Sequence, residues 1–206
     1  MFRNRYFWLL ISLFFVLKTE AKVTLTSIWG DNMVLQQQAE VTFRGKATPG
    51  KRVYASASWN HRKIYADCDR NGQWTLALPT PEAGGPYTIT FSDGEELTLK
   101  NILIGEVWFC SGQSNMAFQV SSAVDSQRKA FLEFAARKPQ IRLFDMKPRW
   151  LTNAVEWDIS AMDSLNRLQY YHDAQWEVCD TRNTARFSAI GFAFGRMLAD
   201  SLQVPV

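Results

Sequence analysis

Ile102-Leu-Ile-Gly-Glu-Val-Trp-Phe-Cys110 runs directly into Ser111-Gly-Gln-Ser-Asn115. The first stretch is almost continuously apolar, the pattern of a strand buried on both faces in a parallel sheet. The second is small and polar, the composition of a turn. Ser114-Asn-Met-Ala-Phe-Gln119 then favours a short helix. A strand, a tight turn and a helix start form the place where open α/β sheets bind ligands, at the carboxyl end of the strand. A serine there lifts its Oγ off the sheet top, and an N–H entering a helix can face developing negative charge. Gly112 allows the chain to turn tightly. Two readings of Ser114 follow. It is a nucleophile for acyl transfer, or it caps the helix, which on pattern alone is the commoner role.

Downstream, Ala123 to Lys138 carries helix formers, with apolar positions at Val124, Ala130, Phe131, Phe134 and Ala135, and Pro139 ends it. Ile141, Leu143 and Phe144 mark the next short strand. Lys147 to Asn183 reads as long, Trp-rich loops. Phe187, Ile190, Phe194, Met197, Leu198 and Leu202 recur at three- and four-residue steps, one apolar stripe on an amphipathic helix. Val204-Pro205-Val206 resembles the start of a further strand, so the α/β sheet is expected to be incomplete within these residues.

Upstream, apolar residues alternate at Val41/Phe43, Val53/Ala55/Ala57, Trp74/Leu76/Leu78, Tyr87/Ile89/Phe91 and Leu97/Leu99. Period two marks strands with one buried face. Pro49-Gly50, Asn71-Gly72 and Asp93-Gly94 punctuate them as tight turns. The expectation is a small antiparallel β-sandwich over 22–100. A truncated α/β domain follows it over 101–206.

Residues 1–21 have the layout of a secretory signal peptide: Arg3 and Arg5, an apolar run from Tyr6 to Leu17, then Ala21. The run is shorter than the roughly 20 residues of a membrane span, so no stable span is expected after cleavage. The location implied is secreted or periplasmic. Of the net charge of +3, part lies in this segment; the nearly balanced remainder excludes a nucleic-acid footprint. Cys68, Cys110 and Cys179 lack metal-ligand spacing. They allow at most one disulfide in an oxidising compartment. Cys110 reads as a small buried hydrophobe at a strand end. Eight Trp and fourteen Phe suit either a β-rich core or sugar-stacking surfaces. For Trp29, Trp59, Trp74, Trp150, Trp157 and Trp176 packing is the default. Asp145, Asp158 and Glu177 have no spacing that specifies paired-carboxylate chemistry.

Gly105-Glu-Val-Trp-Phe-Cys-Ser-Gly-Gln-Ser-Asn-Met116 resembles the first motif block of the sialate O-acetylesterase family, part of the wider SGNH-type hydrolases. Asp31-Asn-Met-Val-Leu-Gln36 resembles that family's N-terminal domain. Phe187-Ser-Ala-Ile-Gly-Phe-Ala-Phe-Gly-Arg196 resembles the helix before its second block. The resemblance implies an SGNH-hydrolase-like (flavodoxin-like) α/β domain after the sandwich. It also implies Ser114 as nucleophile, with its own N–H in the oxyanion hole. Gly112, Gln113 and Asn115 match the motif and shape the turn. The implied substrate is an O-acetylated glycan or sialic acid, with neither metal nor organic cofactor and no specified oligomeric state. The family's further oxyanion donors, a Gly and an Asn, and its Asp and His find no match in this chain. His61 sits in Trp-Asn-His-Arg-Lys, a hairpin tip. His172 beside Asp173 sits in a loop where the family places no base. A hydroxyl lacking a base forgoes roughly 10² to 10⁴-fold in rate, so these 206 residues alone are expected to be nearly inactive and poorly soluble. Two other readings stay open: a non-catalytic carbohydrate-binding fragment and an inactive remnant.

Overall fold

A computed structural model describes residues 23–150 and 157–206. The expected signal peptide lies outside them. The first region holds eight strands: β1 (Thr24–Leu25), β2 (Val34–Gln36), β3 (Glu40–Lys46), β4 (Arg52–Ala57), β5 (Lys63–Asp67), β6 (Gln73–Pro79), β7 (Gly84–Ser92) and β8 (Glu96–Gly105). One antiparallel sheet has the order β1-β3-β6 and the other, a mixed sheet, β2-β8-β7-β4-β5.

The alternation read from the sequence is what joins the two sheets. In β4 and β6 every second residue is buried, and the inward sets meet in one core. Phe91 of the larger sheet contacts Phe43 and Trp74 of the smaller, with ring centroids 5.2 and 5.7 Å apart. Each fully buried side chain of this kind stabilises by about 1.5–3 kcal/mol. Trp74 is buried, while Trp29 and Trp59 pack at the margin of the core. At Asn71-Gly72 the turn is held by Asp69, whose Oδ1 accepts the N–H groups of Asn71 and Gln73, each at 2.8 Å. Gly72 has φ +73°, and a Cβ there would overlap the Ala47 carbonyl.

The run from Ile102 to Cys110 departs from its expected course. Ile102–Gly105 completes β8, which pairs antiparallel with β7 and parallel with β2, Val34 opposite Leu103. The expected division after Lys100 therefore falls inside a strand. Glu106–Cys110 forms no strand, and Val107, Trp108, Phe109 and Cys110 are exposed. At this point the Pro205 carbonyl lies so close that only glycine fits at 105, since a Cβ there would overlap it, and it accepts the Glu106 N–H at 2.8 Å.

The second region contains α1 (Ser114–Ala117), a 3-10 turn (Val120–Ser122), α2 (Asp125–Ala135), β9 (Arg142–Phe144), α3 (Ile159–Asn166), β10 (Trp176–Val178), α4 (Thr181–Arg186) and α5 (Ala189–Leu202). β9 and β10 form an antiparallel ribbon. The parallel relation expected here lies between β9 and the last residues of the chain. Val206 N–H donates to Gln140 O at 3.0 Å and Val206 O accepts from Arg142 N–H at 2.8 Å, so the bonds flank Ile141 in the parallel sense.

The core here gathers Val120, Ala135, Ile141, Leu143, Cys179 and Phe192. Phe131 and Phe134 of α2 pack edge-on against Phe192, at 5.5 and 6.2 Å. That corrects the stripe expected for the last helix. Phe192 and Gly191 face the core, whereas Ile190, Phe194, Met197 and Leu202 are exposed. α5 is apolar around most of its girth, so periodicity could not choose its buried side. Val124, expected on the packed side of α2, is also exposed.

Candidate active site

Ser114 is the first residue of α1, and it is exposed. Gln113 occupies the N-cap position, and no side chain caps the helix. The capping role open to Ser114 on sequence is thus not the one it takes. Among the described residues its hydroxyl has no hydrogen-bond partner. As a first-turn residue, its N–H lacks an intrahelical acceptor. Gly112 is needed for a close approach, since a Cβ there would lie 3.0 Å from Met116 Cβ. Gln113 and Asn115 are exposed and serve the turn through their carbonyls, which accept from Ala117 and Phe118 N–H at 3.0 and 3.3 Å.

Three sets of contacts hold this segment. Before it, the Asp31–Gln36 motif and the residue after it grip Glu106 and Val107. Gln36 Nε2 and Gln37 Nε2 donate to Glu106 Oε1 at 3.3 and 2.9 Å, and Gln36 Oε1 accepts the Val107 N–H at 3.0 Å. After it, Phe118 O accepts from Ala189 N–H at 2.8 Å and Phe187 O from Val120 N–H at 3.0 Å. Beneath it, the Ser188 hydroxyl reaches Met116 Sδ at 3.2 Å. The three stretches singled out by sequence, around Asp31, Ser114 and Phe187, are therefore joined in space. Trp108 adds an edge-on contact with Phe194 at 5.1 Å.

The histidines are not part of this assembly. His61 lies in the β4–β5 turn with φ 54°, and His172 lies in an exposed loop where its N–H donates to Lys147 O at 2.9 Å. Cys110, read as buried, is exposed, because the strand that would have enclosed it ends at Gly105; Cys68 and Cys179 are buried, and all three are free thiols. Burial pushes the Cys179 thiol up, which leaves it inert as a nucleophile at neutral pH. Burial likewise pushes Arg142 down. Its Nε is enclosed without a partner among the described residues, in a pocket shared with Glu106, Trp108 and Cys110. Among the described residues no three His, Cys, Asp or Glu gather closely enough to hold a metal ion. No described helix is long and apolar enough to cross a membrane.

The described residues between Lys147 and Asn183 form two helices and a strand where the sequence suggested loops. Asp158 caps α3, accepting from Ala161 N–H at 2.7 Å, and Asp180 caps α4, accepting from Asn183 N–H at 2.7 Å. An Asp just ahead of a helix start was the available signal. Trp176 is a clamp between the regions: its Nε1 donates to Ile28 O at 2.8 Å and its carbonyl accepts from Asn32 Nδ2 at 3.5 Å.

No protein-family profile matches the chain. The chain is 27% identical over 191 residues to the sialate O-acetylesterase of Homo sapiens, covering 85% of this chain and 34% of that protein. It is 30% identical over 189 residues to that of Rattus norvegicus, covering 84% and 32%. Its fold matches a solved carbohydrate acetylesterase from Xanthomonas citri with a TM-score of 0.72 and 28% identity, over 89% of this chain and 38% of that one. The class to which fold and sequence align the chain is thus that of the carbohydrate acetylesterases, with a mixed sheet and helices as in an α/β hydrolase-like architecture. Within that class, the chain is related to the sialate O-acetylesterase family, in its N-terminal portion. It spans about a third of the length of the curated relatives it matches.

Proposed function

We propose that the protein is an exported carbohydrate esterase that removes O-acetyl groups from glycans, with Ser114 as nucleophile. The observation that carries this reading is the Ser114 hydroxyl itself. It is exposed and unpartnered at the start of α1, neither capping the helix nor buried. The names of the relatives support the same chemistry.

In the proposed reaction Ser114 Oγ attacks the acetyl carbonyl carbon and passes its proton to a base. The ester C–O bond breaks, the sugar oxygen takes up a proton, and an acetyl-serine remains. Water then cleaves that ester, releasing acetate and restoring the hydroxyl. The Ser114 N–H, free of intrahelical bonding, is one donor to the oxyanion; each such donor contributes roughly 10² to 10³-fold. The base, its acidic partner and the remaining donors come from protein outside these 206 residues. On this reading 22–105 is a β-sandwich domain and 106–206 the first part of an SGNH-type domain, with 1–21 as the export signal.

The test is labelling of the natural-length protein with a fluorophosphonate. The expected result is one adduct, located at Ser114 by peptide mass spectrometry, and lost with acetyl-ester turnover in Ser114→Ala. Turnover retained by that variant sinks the assignment.

A further inference from the structure

The strand pairing that leads toward Ser114 is continued by side chains. The parallel β2–β8 ladder stops where Gln36 faces Gly105, and Glu106 to Gln113 belongs to no helix or strand. There the Gln36 amide stands in for a peptide group. Its Oε1 accepts the Val107 N–H at 3.0 Å while its Nε2 donates to Glu106 Oε1 at 3.3 Å. Gln37 adds its N–H to Gly105 O at 2.8 Å and its Nε2 to Glu106 Oε1 at 2.9 Å. Both glutamines are themselves fixed to the β-rich region. The Thr80 hydroxyl donates to Gln36 O at 2.7 Å, and Gln37 Oε1 accepts the Ala83 N–H at 3.1 Å. One carboxylate oxygen thus receives two amide donors, and hydrogen bonds to carboxylates are the stronger kind.

The consequence falls on Ser114. Every residue from Val107 to Asn115 is exposed, so burial does not fix the serine in place. Its position depends on what grips the segment: the glutamines at Glu106 and Val107, Phe194 at Trp108, and Ser188 at Met116. A nucleophile must stand within a fraction of an ångström of its productive place, and a 1 Å misplacement costs roughly 10²-fold in rate.

We infer that Gln36, Gln37 and Glu106 are positioning residues, a latch through which the β-rich region sets where Ser114 stands. The inference rests on Ser114 as the attacking group. The experiment uses the natural-length protein, with 4-nitrophenyl acetate as substrate and a fluorophosphonate as probe of Ser114, under conditions where circular dichroism shows each variant folded. Glu106→Ala is expected to lower kcat and the labelling rate together, by roughly 10²-fold, with KM unchanged. Glu106→Gln keeps an oxygen that accepts from both glutamines and is expected to restore most of the rate. Gln37→Ala is expected to slow labelling in the same sense, and keeps the test open should Glu106→Ala not fold. Combined with Glu106→Ala it adds little, because both remove one interaction. Asp93→Asn is the control. It weakens a turn of the same region, where Asp93 Oδ2 accepts from the Thr48 hydroxyl and N–H, and is expected to leave the labelling rate unchanged. Labelling as fast in Glu106→Ala or Gln37→Ala as in the parent overturns the inference. So does a raised KM at constant kcat, or an equal slowing by Asp93→Asn, which would reduce the latch to general stability. A parent whose Ser114 takes no label removes the esterase reading and the inference with it, whereas a labelled parent with unslowed variants removes the latch alone.

Discussion

Ser188 donates its hydroxyl to Met116 Sδ at 3.2 Å while accepting the Gly191 N–H at 3.2 Å as the N-cap of α5. One side chain therefore starts the longest helix and tethers the helix that presents Ser114. Ser188→Ala removes both bonds. The loss of the cap alone costs about 1 kcal/mol. A lower urea midpoint at unchanged m is expected, with hydrogen exchange accelerated over 114–117 and 189–192. Protection unchanged at Met116 would show that the sulfur contact contributes nothing.

Ser114→Ala should behave in the opposite way. The hydroxyl caps nothing and pairs with nothing among the described residues, so the variant is expected to melt within about 0.5 kcal/mol of the parent. A loss near 1 kcal/mol in thermal unfolding would return Ser114 to a structural role.

Asp93 links the turn after β7 to the turn before β4. Burial pushes its carboxyl up, but the Thr48 hydroxyl and N–H, bound to Oδ2 at 2.7 and 3.0 Å, outweigh that and hold it below the ordinary carboxylate value. A depressed carboxylate contributes stability above its unfolded pKa, about 3.9, and loses it as pH falls through the folded value. Asp93→Asn is therefore expected to cost ~1–3 kcal/mol at pH 7. The gap between parent and variant should shrink steadily in urea titrations below pH 4. A pH-independent gap would mean that the charge is irrelevant.

Phe109 is 85% exposed and Trp108 54%; Trp108 meets Phe194 of α5 edge-on, and Ile190 and Met197 of that helix are also exposed. Exposed aromatic and aliphatic side chains of this kind bind hydrophobic dyes and promote association. The 206-residue chain should bind anilinonaphthalene sulfonate and self-associate. Phe109→Ser should reduce both without lowering the melting temperature, because little buried area is lost. A parent chain that stays monomeric and dark would contradict this.

Strands β3, β4, β6 and β7 were legible because alternation and turn chemistry are local: Val53/Ala55/Ala57 and Asn71-Gly72 need no distant partner to be read. The same holds for α2 before Pro139 and for β9. The caps Asp158 and Asp180 were missed, since each is a single residue without a strong periodic segment behind it. The site was legible as a motif, Gly112 to Asn115, rather than as geometry.

Sequence alone thus determined which side chains alternate, where turns fall, and that a serine stands just past an apolar run. Tertiary structure decided three things that no local pattern holds. It ended β8 at Gly105, since an unbroken apolar run has no period from which a strand end can be read. It chose Phe192 as the buried side of α5, since a helix apolar around most of its girth is oriented by its neighbours. It also joined Asp31–Gln36, Ser114 and Ser188, since hydrogen bonds between residues about 70 positions apart exist only once the chain has folded.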